Sequence, residues 1–452
     1  MNGRKTYHFI SLGCAKNSVD SDSMAELLDL AGYEAEKNLN RADVLVVNTC
    51  GFIQAAREES YRLLREVAKG KRPGQLLIAA GCMTQRYGSQ VAEQVPGIDG
   101  ILGTRRWMDI VDLVQRLRQA RHPGPICHLP ESATIGADPA GVDGGLPPLR
   151  ASVAGASAYL KIADGCQRPC AFCAIPLIKG TAVSRPMNAI LEDCRRLRDV
   201  GVRELVLIAQ DTTDYGRDLG MQDGLAALLE QMTLIVPDVD WIRILYAYPG
   251  CVSERLIEMM ASHRQVLPYL DMPLQHAHPQ VLHRMQRPAN MDWVYKTIDR
   301  MRTVMPDLAI RTSFIVGYPG ETEQEFQALL DFVGQVRFDR IGTFQFSFEA
   351  GTSGEALGDP VPVEVKEERY QLLMSLQQGI SLQINQSFVG KTLDVLIEGR
   401  KKGISIGRSY RDAPEIDGLV FVEGKSEIGE IVPVRITGAM AYDLTGVPAQ
   451  ET

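Results

Sequence analysis

Three cysteines, Cys166, Cys170 and Cys173, fall within eight residues of a segment that also carries Gly165, Arg168 and Pro169. Three thiolates on one short loop can converge on a soft metal centre. A structural zinc site usually pairs two Cys-x2-Cys or Cys/His units, and no second unit lies nearby. Buried structural cysteines are the other alternative, and they rarely take this spacing in a loop rich in Gly, Pro and Arg. Ferredoxin runs supply four cysteines per iron–sulfur cluster. A cubane held by three leaves one iron open to a substrate or cofactor, as the open position does in a catalytic zinc site. A second set, Cys14, Cys50 and Cys82, is scattered, but each follows a strand-like run and has a glycine beside it (Gly13, Gly51, Gly81).

The elements around these cysteines follow from periodicity. Tyr7–Leu12, Val44–Asn48 and Leu76–Ala80 read as strands, and Asp20–Leu30, Gln54–Ala68 and Met108–Gln119 as helices, so the N-terminal region reads as a Rossmann-like parallel sheet of βαβ units. The carboxyl ends of parallel strands share one edge, where ligands bind. Cys14, Cys50 and Cys82 are therefore expected to meet there, again as three thiolates, around a second cluster. Between His122 and Ser157 the chain turns rich in Pro and Gly, which is linker chemistry. A second alternating series has strands at Ala158–Ala163, Glu204–Ala209, Trp241–Tyr246, Tyr269–Met272, Ile310–Val316 and Arg340–Phe346. Six βα units form either a doubly wound sheet or an incomplete barrel. Leu373, Leu376, Ile380 and Ile384 mark one face of a later helix. Short runs at Leu393–Ile397, Gly418–Val422 and Ile431–Ile436 read as a small all-β barrel. The expected limits are 4–120, a linker at 121–151, 152–383 and 384–450.

Composition narrows the class. The chain has 452 residues, too many for one core, so several domains are expected. No apolar run reaches the roughly 18 residues of a membrane span, and the N-terminus has no export-signal pattern. A cytoplasmic location without membrane contact is expected, where nine cysteines are no disulfide framework. A net charge of −8 argues against a chain whose main task is gripping nucleic acid.

The Cys-x3-Cys-x2-Cys loop after the first strand of a six-unit α/β domain resembles the radical S-adenosylmethionine superfamily. The resemblance implies a partial (β/α)6 barrel and a 4Fe-4S cluster whose open iron chelates S-adenosyl-L-methionine. An electron from the cluster cleaves the sulfonium to methionine and a 5′-deoxyadenosyl radical. It also implies that Phe172 packs near the adenine, although Phe172 suits a core position as well. Two such clusters, in this domain order with a terminal barrel, resemble the methylthiotransferases, whose last module is a TRAM domain. The resemblance covers nearly the whole chain and implies two 4Fe-4S clusters, one for cleaving the cofactor and one for holding the sulfur donor.

Two branches of that family differ in substrate. One modifies adenosine beside the anticodon of transfer RNA. The other, the RimO type, modifies the β-carbon of an aspartate in ribosomal small-subunit protein S-twelve. Ser11–Asn17, Ala209–Gly216 and Asp412–Gly418 are similar to the second branch, whereas the first usually has a Gln-Met-Asn run after the first cysteine. From Asn385 to Thr452 there are eight Lys/Arg and ten Asp/Glu, so the last module is slightly acidic. That suits a basic ribosomal protein better than transfer RNA. An electron donor such as flavodoxin or ferredoxin is implied. A different class, a non-enzymatic iron–sulfur scaffold or electron carrier, would not cleave the cofactor.

Several other residues stand out. Gln210 and Asp211 lie just past a barrel strand, where barrel enzymes place chemistry, and Asp211 equally suits a loop cap. Arg311 could hold the cofactor carboxylate bidentately or make a structural ion pair. His276, His278 and His283 lack a zinc signature. Arg400-Lys401-Lys402 reads as a solvated hairpin turn. Cys127, Cys194 and Cys251 read as non-ligands.

Overall fold

The computed structural model describes residues 5–120, 124–130 and 148–449. Most of the Pro- and Gly-rich stretch expected as a linker, residues 131–147, lies outside the described residues.

The first sheet contains β1 (Thr6–Ser11), β2 (Glu34–Ala35), β3 (Val44–Thr49), β4 (Leu76–Gly81), β5 (Gly100–Gly103) and β6 (Ile126–His128). Its order is β2-β1-β3-β4-β5-β6, and every pairing is parallel. β3 is buried at all six positions because helices cover both faces of the sheet. Val44 and Val46 pack with Leu28 and Leu113 on one face, and Leu45 and Val47 with Leu64 and Val67 on the other. Ile126–His128 falls within the expected linker, yet it pairs with β5 as a sixth strand and carries Cys127 there.

The second sheet begins with β7 (Ala151–Ala154) and β8 (Ser157–Lys161), an antiparallel pair. The run expected as one strand to Ala163 is interrupted at Ile162. Beyond it β9 (Ala163–Asp164) leaves the sheet and pairs with β10 (Val183–Ser184) across the base of the Cys166–Cys173 loop. Five further strands follow: β11 (Glu204–Ile208), β12 (Trp241–Ile244), β13 (Val266–Asp271), β14 (Ala309–Val316) and β15 (Arg340–Gln345). The order β15-β14-β13-β12-β11-β8-β7 is open, with six parallel strands from β8 to β15, which is a partial (β/α)6 barrel. The concave side holds Tyr159, Val206, Ile208, Trp241 and Tyr269, and both flanking regions plug it. Val19 enters from the Ala15–Leu30 helix, and Leu396 and Ala413 from the C-terminal module.

The long helix Val363–Gln386 buries Leu373 and Ile380 against the core. It leads to a closed barrel of β16 (Thr392–Lys401), β17 (Ile404–Ser409), β18 (Val420–Glu423), β19 (Ile431–Ala439) and β20 (Leu444–Pro448), in the order β16-β17-β18-β20-β19. Lys402, with φ of 52°, turns the chain between β16 and β17. The overall α/β architecture is the expected one.

Ion pairs fasten the C-terminal barrel to the core. Glu204 receives Arg243 at 2.7 Å and Arg408 at 2.5 Å, both pairs fully buried. Burial alone would raise the Glu204 carboxyl, but the two guanidinium groups outweigh it and hold it at about 2. Asp412 meets Arg340 at 2.7 Å, and Asp417 accepts a hydrogen bond from the Tyr269 hydroxyl at 2.6 Å. The Asp412–Gly418 segment is thus an inter-module clasp. Among the described residues, no helix is long and apolar enough to cross a membrane.

Candidate functional site

The strand order of the first sheet reverses between β1 and β3, and the crevice at such a switch point is where open α/β sheets bind ligands. Cys14 follows β1 and Cys50 follows β3, one on each side of that point; Cys82 follows β4 and begins the helix Cys82–Tyr87. The three thiols are near enough to act on one another: Cys14 and Cys50 both raise the pKa of Cys82, and Cys14 that of Cys50.

Asn17 ties these loops together. Its Nδ2 donates to the carbonyl oxygens of Leu12 at 2.8 Å and Thr49 at 3.1 Å, and its Oδ1 accepts from Cys82 Sγ at 3.6 Å. The glycines serve loop-on-loop packing. A Cβ on Gly81, whose φ is +103°, would lie 2.3 Å from Asn48 Oδ1, and one on Gly51 would lie 2.5 Å from the Met83 Cα. Burial lifts Cys82 to about 12 and also raises Cys50. Cys14 differs: it is the exposed member of the triad, and Lys16, the backbone N–H groups of Asn17 and Lys16, and Lys179 lower its pKa.

The Cys166–Cys173 loop is stapled on several sides. Cys166 N donates to Gly180 O at 3.0 Å, Cys173 N to Cys170 O at 3.1 Å, and Ala171 N to Met285 O at 2.9 Å. Burial raises Cys166 to about 11 and Cys173 to about 12. Two guanidinium groups lie against the Tyr248 ring, Arg168 and Arg287 each 4.3 Å from its centroid. The Arg168 backbone N–H points at Cys166 Sγ (3.5 Å) and Arg287 Nη1 at Cys170 Sγ (3.5 Å).

A cavity of about 260 Å3 joins these features. Cys166, Cys170 and Cys173 line it together with Phe172 and Gln210. Tyr246, Tyr248, Pro273 and Gln275 come from the carboxyl ends of neighbouring strands, the end where barrel enzymes do their chemistry. Tyr246 and Gln275 hold positive φ of 62° and 74°, a conformation non-glycine residues keep only where their surroundings impose it. Arg168, Asp211 and Arg287 also line it, as do Lys16 and Phe52, each of which stands two residues past a cysteine of the other triad. Phe172 and Phe52 also line an adjoining apolar cavity of about 480 Å3.

Helix Ile175–Lys179 links the triads. It begins two residues after Cys173, packs Ala174 and Ile178 with Cys82, and ends on Lys179. Lys179 and Lys161 both reach Asp20 of the Ala15–Leu30 helix, and Arg150 and Asp164 complete a fully buried cluster. Burial would raise Asp20, but Lys161, Lys179 and Arg150 outweigh it and lower its pKa.

Arg311 is not brought to this cavity. It pairs with Asp271 at 2.9 Å and Asp417 at 3.4 Å beside the C-terminal module, so the ion-pair alternative describes its surroundings. Asp211 caps the next turn by accepting from Thr213 N at 3.0 Å, and also receives Arg168 at 2.7 Å. Cys251 Sγ accepts from Arg168 Nη2 at 3.2 Å, Cys194 is buried in the helix Met187–Asp199, and the buried His276 pairs with Glu321. Tyr248, Gln275 and Arg287 carry no role in the sequence reading; Lys16 lies within the Ser11–Asn17 motif and Tyr246 closes an expected strand, without a role of their own there.

Among the described residues, no three His, Cys, Asp or Glu side chains are gathered tightly enough to hold a single metal ion. The donor set suits a thiolate-held cluster. Each triad offers three cysteine sulfurs, and each has cations beside it, Lys16 and Lys179 at one, Arg168 and Arg287 at the other, which offset thiolate charge.

Three family descriptions match the chain: "Uncharacterized protein family UPF0004" over residues 6–103, the Radical SAM superfamily over 160–333 and the TRAM domain over 389–448. The chain is 48% identical to the ribosomal protein uS12 methylthiotransferase RimO of Roseiflexus sp. (strain RS-1), covering 97% of this chain and 96% of that one. It is 50% identical to the protein of the same name from Chloroflexus aurantiacus, over 97% and 99%, and 44% identical to that of Synechocystis sp., over 97% of both. Its fold is similar to that of the radical S-adenosylmethionine methyltransferase TsrM from Kitasatospora setae, with a TM-score of 0.57 at 12% identity, covering 89% of this chain and 77% of that one. With identity at this level along almost its whole length, the chain belongs to the RimO family of radical S-adenosylmethionine methylthiotransferases.

Proposed function

We infer that this chain transfers a methylthio group to the β-carbon of an aspartate in ribosomal protein S-twelve. The observation that carries the reading is the cavity at the carboxyl end of the barrel, walled by one cysteine triad and by the residues that follow two cysteines of the other. Cys166, Cys170 and Cys173 would hold one 4Fe-4S cluster, and Cys14, Cys50 and Cys82 the other. When bound, the clusters and S-adenosylmethionine supply one-electron cleavage of the sulfonium and the sulfur to be transferred.

The chain's own residues bind and orient. Phe172 offers an aromatic face and Gln210 a polar side chain where the cofactor would lie against the loop. Arg287 and the Arg168 backbone donate toward the sulfurs of Cys170 and Cys166 and so fix their direction. Phe52 and the neighbouring apolar cavity of about 480 Å3 offer an apolar surface beside the site. The Asp20 cluster and Arg105, which donates from Nε to Ile178 O at 2.9 Å, hold the two regions in one arrangement.

We assign the division of labour to residues 4–120, 152–383 and 384–450, with a cytoplasmic location and a flavodoxin or ferredoxin as electron donor. Transfer RNA is the less favoured substrate, because the C-terminal module is slightly acidic. Anaerobic reconstituted enzyme, S-adenosylmethionine and a reductant, incubated with S-twelve and separately with transfer RNA, should add the mass of one methylthio group to S-twelve alone. A gain on transfer RNA alone would refute the reading.

A further inference from the structure

The cations facing the cavity are not equivalent. Arg168 is held by Asp211 at 2.7 Å and Asp214 at 3.1 Å. Arg287 donates to the Pro273 carbonyl and toward Cys170 Sγ. Nearby, Lys161 and Lys179 share Asp20. Lys16 has no such partner. It is only 7% exposed, and its Nζ lies 3.2 Å from the Tyr246 ring centroid. Among the described residues, no carboxylate forms an ion pair with it and no oxygen accepts a hydrogen bond from it.

An ammonium group carries three N–H donors and no acceptor. A ring face offsets part of its charge but accepts no conventional hydrogen bond. Most of the Lys16 side chain is buried, and it lines the cavity with no carboxylate claiming its charge. The ammonium is therefore available to an anion that enters the cavity. Tyr246, at positive φ, is itself fixed: its N–H donates to Asp271 Oδ2 at 3.2 Å and its carbonyl accepts from Thr212 N at 3.1 Å. The ring thus sets the position of the Lys16 ammonium.

We propose that the Lys16 ammonium is the receptor for the side-chain carboxylate of the substrate aspartate, and so selects an acidic residue for modification. This rests on the function inferred above. The geometry favours the substrate carboxylate over that of the cofactor. Lys16 stands two residues past Cys14, in the part of the wall that the N-terminal region supplies. In an aspartate the carboxylate carbon is bonded directly to the β-carbon. A carboxylate held at Lys16 therefore keeps the carbon that receives sulfur within one bond of the anchored group, beside the triad assigned to the sulfur donor. Arg168 is taken by Asp211 and Asp214, and Arg287 is turned to the Pro273 carbonyl and the Cys170 thiol of the loop.

The test compares reconstituted wild-type, Lys16→Met and Lys16→Arg enzymes on S-twelve and on S-twelve whose target aspartate is replaced by asparagine. Wild type should prefer the aspartate protein. Lys16→Met should raise KM for S-twelve about ten- to a hundredfold, the scale of a lost charge-assisted bond. It should also bring the aspartate-to-asparagine ratio of kcat/KM close to one, with rates taken per bound cluster and KM for S-adenosylmethionine unchanged. Lys16→Arg should restore part of the preference. An unchanged ratio in Lys16→Met would overturn the proposal. So would an effect confined to KM for S-adenosylmethionine, which would give the cation to the cofactor, or iron loss with the ratio preserved, which would make it structural. If wild type leaves S-twelve unmodified, the function inferred above fails and the proposal with it; if wild type modifies S-twelve and Lys16→Met discriminates equally well, the proposal fails alone.

Discussion

The two cysteine triads are built by opposite means. Cys166, Cys170 and Cys173 sit on one loop, stapled by its own backbone and by Met285 and Gly180. Cys14, Cys50 and Cys82 come from three separate strand ends and meet only because β1, β3 and β4 are neighbours in one parallel sheet. The first triad depends on a short loop keeping its shape. The second depends on the whole sheet, on Asn17 across its loops, and on the Asp20 cluster that seats the Ala15–Leu30 helix against the barrel. Spreading the ligands in this way couples the second site to the packing of two regions of the molecule.

The sharpest way to separate the triads is to remove one ligand from the loop. Cys170→Ala should abolish formation of 5′-deoxyadenosine while the strand-end triad keeps its iron, so that iron analysis finds roughly half of the roughly eight atoms two cubanes would contribute. Full iron with no cleavage would mean that Cys170 is not a ligand.

The next largest effect is expected from Asp20→Ala. It leaves Lys161, Lys179 and Arg150 facing Asp164 alone in a buried setting, a loss of about 3–5 kcal/mol by urea unfolding. Iron should leave the strand-end triad before the loop triad. Asn17→Ala is milder, at about 1–3 kcal/mol for the loop groups left without partners, and should deplete the same triad with little change in cofactor cleavage.

The smallest effect on either triad is expected from the far side of the barrel. Glu204 is held at about 2 by Arg243 and Arg408, below its unfolded value near 4.5. A depressed carboxylate contributes stability fully above the unfolded value and loses it as pH falls toward 2, in total about 3 kcal/mol. Acid unfolding of Glu204→Gln should lack that part of the pH dependence between about 4.5 and 2, with the iron of both triads intact at neutral pH.

Much of this arrangement was legible in the sequence. Long β-branched runs such as Val44–Thr49 showed the strands, and the position of each cysteine past a strand end was enough to bring Cys14, Cys50 and Cys82 together in expectation. What was missed lacks a pattern. β5 is Gly-Ile-Leu-Gly, too short for a period, and is a strand only because β4 and β6 flank it. β6 is hidden among prolines and glycines. Arg311 shares one spacing with either role offered for it, and its neighbours Asp271 and Asp417 come from segments distant in sequence. Lys16 and Arg287 gain meaning from Tyr246 and Tyr248, which are distant in sequence.

The central claim is that the loop triad makes the radical and the strand-end triad delivers the sulfur. Cys50→Ala enzyme, reconstituted anaerobically and incubated with S-twelve, S-adenosylmethionine and reductant, tests it most directly by mass spectrometry of both products. The account predicts 5′-deoxyadenosine at levels comparable to wild type and no methylthio mass gain on S-twelve. Methylthiolated S-twelve at the wild-type yield from this variant would contradict it.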